Sequence, residues 1–165
     1  MQTSADIDDS DDGPALDTLD LRILDQLQRD ASLSNLALAG RVHASPPTCL
    51  RRVKRLIDAG IIERQVAIVR PQALGHRLTA IIEVALDRQD DEAQRAFESR
   101  AVGSDAVLQC YRVSPGPDFV LIAQVADMPA YHRLSQQLFG ADSNVRNVRA
   151  FFSIHRAKFE TRIAG

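Results

Sequence analysis

From Leu78 to Asp87 the side chains alternate: Leu78, Ala80, Ile82, Val84 and Leu86 fall on one side of an extended chain, and Thr79, Ile81, Glu83, Ala85 and Asp87 on the other. Alternation this long demands a half-buried strand and excludes an all-helical chain. The period then changes repeatedly. A helix is expected at about Asp90 to Arg100, with Ala93, Ala96, Phe97 and Ala101 on one side. Strands follow at about Val107 to Val113 and Phe119 to Ala126, separated by Ser114-Pro115-Gly116-Pro117-Asp118. A second helix starts at Asp127, which can cap it, and buries Tyr131, Leu134 and Leu138. The last strand, Val145 to about His155, alternates Val148, Ala150, Phe152 and Ile154 with Arg149, Phe151, Ser153 and His155. The order βαββαβ is the split, ferredoxin-like unit, an antiparallel sheet with both helices on one face. Its bare face would carry Ile81, Val107, Tyr111 and Phe151, too apolar to leave wet, so it is expected to pack on another subunit.

The chain before this unit is helical. Leu16, Leu19, Ile23, Leu24 and Leu27 recur at helical spacing from about Asp17 to Arg29, and Ser34 to Val42 reads as a short capped helix. Only His43-Ala44 separates it from Ser45-Pro46-Pro47-Thr48-Cys49-Leu50-Arg51-Arg52-Val53-Lys54-Arg55-Leu56-Ile57, the connection length of a helix-turn-helix. Ser45 can cap the third helix, Pro46 fits its first position, and Gly60 supplies the left-handed residue that ends it. His43 reads as a turn residue, because histidine tolerates the left-handed region. On the third helix Leu50, Val53, Leu56 and Ile57 are expected to pack, with Thr48, Arg51 and Arg55 opposite and Arg52 and Lys54 on the flanks. Ile61 to Val69 is a β-branched run, expected as a strand leading out, with Gly75 marking the next turn.

A solvated face is the ordinary reading of a charge run on a helix, but such a face mixes signs. Residues 41 to 64 carry Arg41, Arg51, Arg52, Lys54, Arg55 and Arg64 against Asp58 and Glu63, a local net of +4. The overall net charge of −2 hides this: residues 1 to 20 hold seven aspartates and no Lys or Arg, leaving the remainder at +5. Double-stranded DNA is the expected partner of the basic helix, with Ser45, Pro46, Thr48, Arg51, Arg52, Lys54 and Arg55 as candidate contacts. Residues 1–15, rich in Asp and Ser, are expected to be a disordered acidic tail. The helix-turn-helix domain is placed at 16–62, a linking strand and turn at 63–75, the ferredoxin-like domain at 76–160, and a C-terminal tail at 161–165.

No apolar stretch reaches a membrane span and the N-terminus lacks signal-peptide character, so a cytoplasmic protein is expected. Cys49 and Cys110 have no metal spacing and read as free thiols. His76, His132 and His155 are scattered without ligand spacing. No nucleophile–base pair, phosphate-cradling glycine loop or metal cluster stands out, so neither enzyme activity nor a cofactor or metal is expected. Two other readings remain: an architectural, nucleoid-type DNA binder without an effector, and, more remotely, a ferredoxin-like dimeric enzyme, since fold alone does not decide function.

The ordered set of short stretches Leu19-Asp20-Leu21-Arg22-Ile23-Leu24, Ser34-Asn35, Ser45-Pro46, Cys49-Leu50-Arg51-Arg52-Val53-Lys54-Arg55-Leu56, Gly60-Ile61-Ile62, Leu74-Gly75, Asp118-Phe119 and Asp127-Met128-Pro129-Ala130-Tyr131 resembles the leucine-responsive regulator/AsnC family, the feast/famine transcription regulators. The resemblance runs from Leu16 to about Ile163. It implies a winged-type helix-turn-helix joined by a strand to an effector-sensing ferredoxin-like domain. It also implies dimers formed through the sheets that assemble further, to octamers, with amino acids or related metabolites bound between dimers. Carried over by position, the family's effector residues are Ser114, Gly116, Asp118, Met128, Phe151, Phe152 and Ser153. The family's loop is a Gly-acidic-aromatic-Asp sequence, whereas this chain has Pro115-Gly116-Pro117-Asp118, and two prolines remove two N–H donors that could hold a carboxylate. The family's threonines before the final aromatic run are replaced by Val148 and Ala150, so leucine is not implied as the effector. A cationic group facing Asp118 is the expectation the loop supports. Each position also has an ordinary reading: Asp118 as a turn cap, and Met128, Phe151 and Phe152 as core or interface.

Overall fold

Three capped helices, α1 (Thr18–Arg29), α2 (Asn35–Val42) and α3 (Pro46–Asp58), precede a four-stranded antiparallel sheet in the computed structural model, which describes residues 15–140 and 144–164. The chain divides into two units. One runs to Ala67 and takes in the chain from Phe159 onward; the other spans Ile68–Lys158. The expected acidic tail falls on residues 1–14, outside the described residues, except for Ala15.

In the helical unit the caps at Ser34 and Ser45 stand where the sequence places them, and a third, at Asp17, is beyond those expected. Asp17 accepts from the amides of Leu19 (2.9 Å) and Asp20 (3.0 Å), and Asp20 Oδ2 accepts from the Asp17 amide (3.0 Å), a reciprocal capping box. Ser34 caps α2 by accepting from Ala37 N (3.2 Å), and His43 closes it in the left-handed region at φ 55°, ψ 48°. Gly60 has the positive φ, +72°, that the end of α3 requires. The core is Ile23, Leu38, Ala39, Val42, Cys49 and Leu56, with Leu19, Leu24, Leu27 and Val53 partly buried against it.

Two expectations fail here. Leu50 is 60% and Ile57 47% exposed. The inner stripe of α3 is Cys49 and Leu56, buried, with Val53 partly buried between them, so the inner face is turned by about one residue from the expected one. The run Ile61 to Val69 forms no strand: Ile61 and Ile62 lie half-buried on the helical core, and the residues beyond are exposed coil up to a 3₁₀ turn at Pro71–Leu74. β-branched composition suits a strand only where a second strand supplies hydrogen bonds, and none pairs with this segment among the described residues. Within the C-terminal tail, Arg162 and Ile163 are bound to α1. Ile163 donates its amide to Gln28 Oε1 (2.7 Å) and accepts from Gln28 Nε2 (3.2 Å), and Arg162 Nε donates to Asp25 Oδ1 (2.8 Å) on α1.

The second unit runs β1 (Leu78–Leu86), α4 (Asp91–Val102), β2 (Val107–Arg112), β3 (Phe119–Val125), α5 (Met128–Phe139), β4 (Val145–Phe152), with strand order β2-β3-β1-β4. This is the expected ferredoxin-like arrangement: each crossover skips one antiparallel strand, β3 lying between β1 and β2, and β1 between β3 and β4. Asp90 caps α4 through Ala93 N (2.9 Å), and Asp127 caps α5 through Ala130 N (2.8 Å). Ala80, Ile82, Val84 and Leu86 of β1 are fully buried with Phe97, Phe119, Leu121 and Leu138, and the Phe97 and Phe119 rings lie 4.8 Å apart. Ala96 is exposed on α4, and β4 stops at Phe152, so Ile154 lies in open solvent. On the outer face Phe151 of β4 and Ile122 of β3 flank Ile81, with Tyr111 beside Val120 one row away. Ile81, Tyr111 and Phe151 are exposed, whereas Val107 packs against the core on the helix side.

Candidate nucleic-acid interface and effector loop

The N-terminus of α3 is built by hydroxyls and prolines. Ser45 caps it, accepting from Thr48 N (3.4 Å) and donating to Thr48 Oγ1 (2.8 Å), while Pro46 and Pro47 occupy positions whose amides have no helical acceptor. Asn35, at the start of α2, donates its side-chain amide to Pro46 O (2.9 Å) and so fixes the approach of α2 to α3. Sequence reasoning missed this contact, though an Asn directly after a helix cap was its signal.

The four cations of α3 split into two pairs. Arg51 and Lys54 are exposed and have no ion pair among the described residues. Arg52 and Arg55 turn back toward α1. Arg52 Nη1 lies 2.6 Å from Asp17 Oδ2 and 3.1 Å from both carboxylate oxygens of Asp20, and Arg55 Nη2 donates to Asp20 Oδ2. Asp20 is fully buried. Hydrogen bonding from the Asp20 amide, aided by the Arg52 guanidinium, holds the Asp17 carboxyl at about 2, and Asp17 in turn raises Arg52 above its ordinary value. Arg52 and Arg55, expected as DNA contacts, therefore serve as internal partners of α1. The buried stripe was hard to see in the sequence because Arg52 interrupts it between Cys49 and Val53.

The residues expected to bind an effector do not gather in one chain. Asp118 opens β3 and ties it to the end of β1: its Oδ2 accepts from Leu86 N (2.7 Å) and Gln89 Nε2 (3.3 Å), and its backbone amide donates to Val84 O (2.8 Å). That is the turn-capping role, and it is carried by Oδ2. Ser114 and Gly116 are exposed beside it, with Gly116 at φ +125°. Met128 follows the other end of β3, which spans seven residues or roughly 20 Å. Phe152 and Ser153 lie at that same end, Phe152 opposite Ala80 and Ser153 N donating to Thr79 O (2.9 Å). Phe152 packs edge-on against Tyr131 at 4.9 Å, on the helix side, so its neighbour Phe151 points to the outer face.

Cys49 and Cys110 are free thiols, and burial raises both above the ordinary value. No group of three or more His, Cys, Asp or Glu among the described residues is placed to hold a metal ion, and no described helix is long and apolar enough to cross a membrane.

A capped helix-turn-helix with cations exposed on its third helix, carried with a ferredoxin-like unit, defines a DNA-binding transcription regulator. The comparisons agree. Winged helix-turn-helix DNA-binding matches residues 16–63, and the Lrp/AsnC ligand binding domain matches residues 79–163. The chain belongs to the Lrp/AsnC family of transcription regulators. It is 35% identical to the leucine-responsive regulatory protein of Rhizobium meliloti, over 87% of this chain and 92% of that one. An uncharacterised HTH-type transcriptional regulator of Haemophilus influenzae is also 35% identical, over 90% and 88%. Among solved structures, a transcriptional regulator of Neisseria meningitidis in complex with L-Met superposes with a TM-score of 0.84 at 31% identity, over 90% of this chain and 96% of that one.

Proposed function

We propose that this regulator reads double-stranded DNA with the exposed side of α3 and that an amino acid or related metabolite alters its binding or assembly. The observation carrying the DNA reading is the segregation of charge on α3. Arg51 and Lys54 face solvent with no ion pair among the described residues, Arg51 one turn and Lys54 nearly two turns beyond Thr48, while the other two cations face α1. Thr48 and Arg51 are the base-edge candidates, Lys54 is the phosphate contact, and Ser45 and Pro46 set the helix entry. Replacing both Arg51 and Lys54 by Ala should weaken binding to any duplex in fluorescence anisotropy. A folded double variant with the parent's affinity removes α3 from the interface.

Self-association through the outer sheet face is supported by the exposed Ile81, Tyr111 and Phe151. The effector site is proposed between copies, because the Ser114–Gly116 loop and the Met128, Phe152 and Ser153 cluster stand at opposite ends of β3. An amino-acid effector is favoured by the Neisseria relative solved with L-Met and by the match to a ligand-binding domain, and assembly beyond a dimer, such as an octamer, is what the family resemblance implies. Sedimentation and DNA titration with and without L-Met, the other amino acids and their metabolites test this. If none changes assembly or affinity, the chain is an effector-free architectural binder.

A further inference from the structure

The buried carboxylate of Asp20 has a place in DNA recognition that helix capping alone does not explain. It lies at the third position of α1, reaches back to the Asp17 amide, and holds two guanidiniums from α3: Arg52, which Asp17 also contacts, and Arg55, one turn further on. Each arginine is drawn inward far enough that its Nε is buried with no hydrogen-bond partner among the described residues. Two desolvated N–H groups are a cost, and only the charge on the two aspartates offsets it. The arrangement is formally balanced: two carboxylates against two guanidiniums, with Arg51 and Lys54 outside it. Arg55 lies one helical turn from Arg51 and would extend the exposed cationic row if released, and Arg52, three residues from Arg55 on the flank, could swing its long side chain toward the same side.

We propose that Asp20, assisted by Asp17, is a positioning residue for DNA recognition: it withdraws Arg52 and Arg55 from the phosphate backbone, so that sequence-indifferent attraction stays low and α3 is presented by Arg51 and Lys54. The inference rests on α3 being the DNA-reading helix. Phosphate contacts raise affinity for every sequence alike and steepen its salt dependence, whereas base contacts discriminate. An internal counter-charge is therefore a device for specificity and not for affinity.

The test compares the full-length parent with Asp20→Asn and with Asp17→Asn, which keeps a cap acceptor and perturbs folding less. Binding is measured to a random-sequence duplex and to a duplex selected by the parent from a random pool, over a range of salt. Thermal melts of each variant supply the folded fraction. Asp20→Asn should bind the random duplex roughly tenfold more tightly at low salt, and the slope of log K against log salt should steepen by about 1 to 2. Its preference for the selected duplex should fall by a similar factor. Asp17→Asn should give the smaller change of the same sign, and adding Arg52→Gln and Arg55→Gln to Asp20→Asn should bring the slope back. A merely structural role predicts weaker binding to both duplexes with an unchanged slope, and that result overturns the proposal. If the Arg51→Ala, Lys54→Ala protein binds as the parent does, the DNA reading itself fails. If that protein is weakened but neither aspartate variant alters the slope, only the role of Asp20 is lost.

Discussion

The two units of this protein are held together by different physics. The sheet unit buries a large apolar set, including Ala80, Ile82, Val84, Leu86, Phe97, Phe119 and Leu121. The helical unit buries six apolar residues and sets a fully buried carboxylate among them, bound to two arginines. A small three-helix unit has little surface to bury and is marginal on that ground alone. A charged network adds direction where apolar contact gives only attraction: the positions of Asp17, Asp20, Arg52 and Arg55 fix which way α3 faces. The unit that must present a helix to DNA is thus the one that adds a buried charged network to its apolar core, and the unit expected to sense and assemble relies on apolar contact.

The largest effect should follow a cavity in the apolar core. Phe97 is fully buried and lies against Phe119 and, at 6.3 Å, Phe139, so Phe97→Ala should cost about 3–5 kcal/mol. Denaturant unfolding followed through Tyr111 and Tyr131 fluorescence reports the sheet unit alone, since both tyrosines of the chain lie there. Leu56→Ala should remove about 2–4 kcal/mol from the helical unit. It should abolish DNA binding while leaving the tyrosine-detected transition in place. Coincident loss of both transitions would show that the units are one cooperative body.

Arg51→Ala comes next. If Arg51 reads a base edge, about 1–3 kcal/mol of discrimination between a selected and a random duplex disappears while the salt slope changes little. Lys54→Ala should reduce affinity for both duplexes alike and lower the slope by about 0.9. Exchange of these two signatures would reverse the roles given to the residues.

Much of this was legible in the sequence, and what was not has a common cause. Caps depend on neighbours three residues away, so Ser34, Ser45 and Asp127 were readable, as were the alternation of β1 and the order of elements, while Asp17 and Asp90 stood out only as approximate helix starts. Features that depend on a distant partner were not. The inward turn of Arg52 and Arg55 requires Asp20, more than thirty residues earlier, and without that partner a basic run reads as a fully exposed face. A turn cap at Asp118 was legible, but not its partner, Leu86 N in another strand, and the same holds for Ile163, which binds Gln28. The strand expected after Ile61 fails for the complementary reason: its composition is right, but no described strand pairs with it.

The smallest effect is the most direct comparison of the two units, because it concerns exposed carboxylates screened by solvent. In the helical unit three aspartates are held below their ordinary value. Asp17 is lowered to about 2, first by the Asp20 amide; Asp25 is lowered by Arg29 and then Arg162; Asp30 is lowered by the Ser32 hydroxyl and amide. In the sheet unit Asp90 is lowered by the Ala93 amide. A carboxyl depressed in the folded state binds fewer protons there than in the unfolded chain, so it stabilises the fold above its unfolded value, 3.8, and that contribution is lost as pH falls through the folded value. For Asp17 the window runs from 3.8 down to about 2. On acidification the helical unit should therefore lose its dispersed amide resonances in NMR at a higher pH than the sheet unit does. Asp17→Asn should make the helical unit's acid unfolding take up about one proton fewer across that window. Simultaneous loss of both units, or a proton count unchanged by the substitution, would mean that the ion pairs of α1 and α3 do not set the acid limit of the DNA-binding unit.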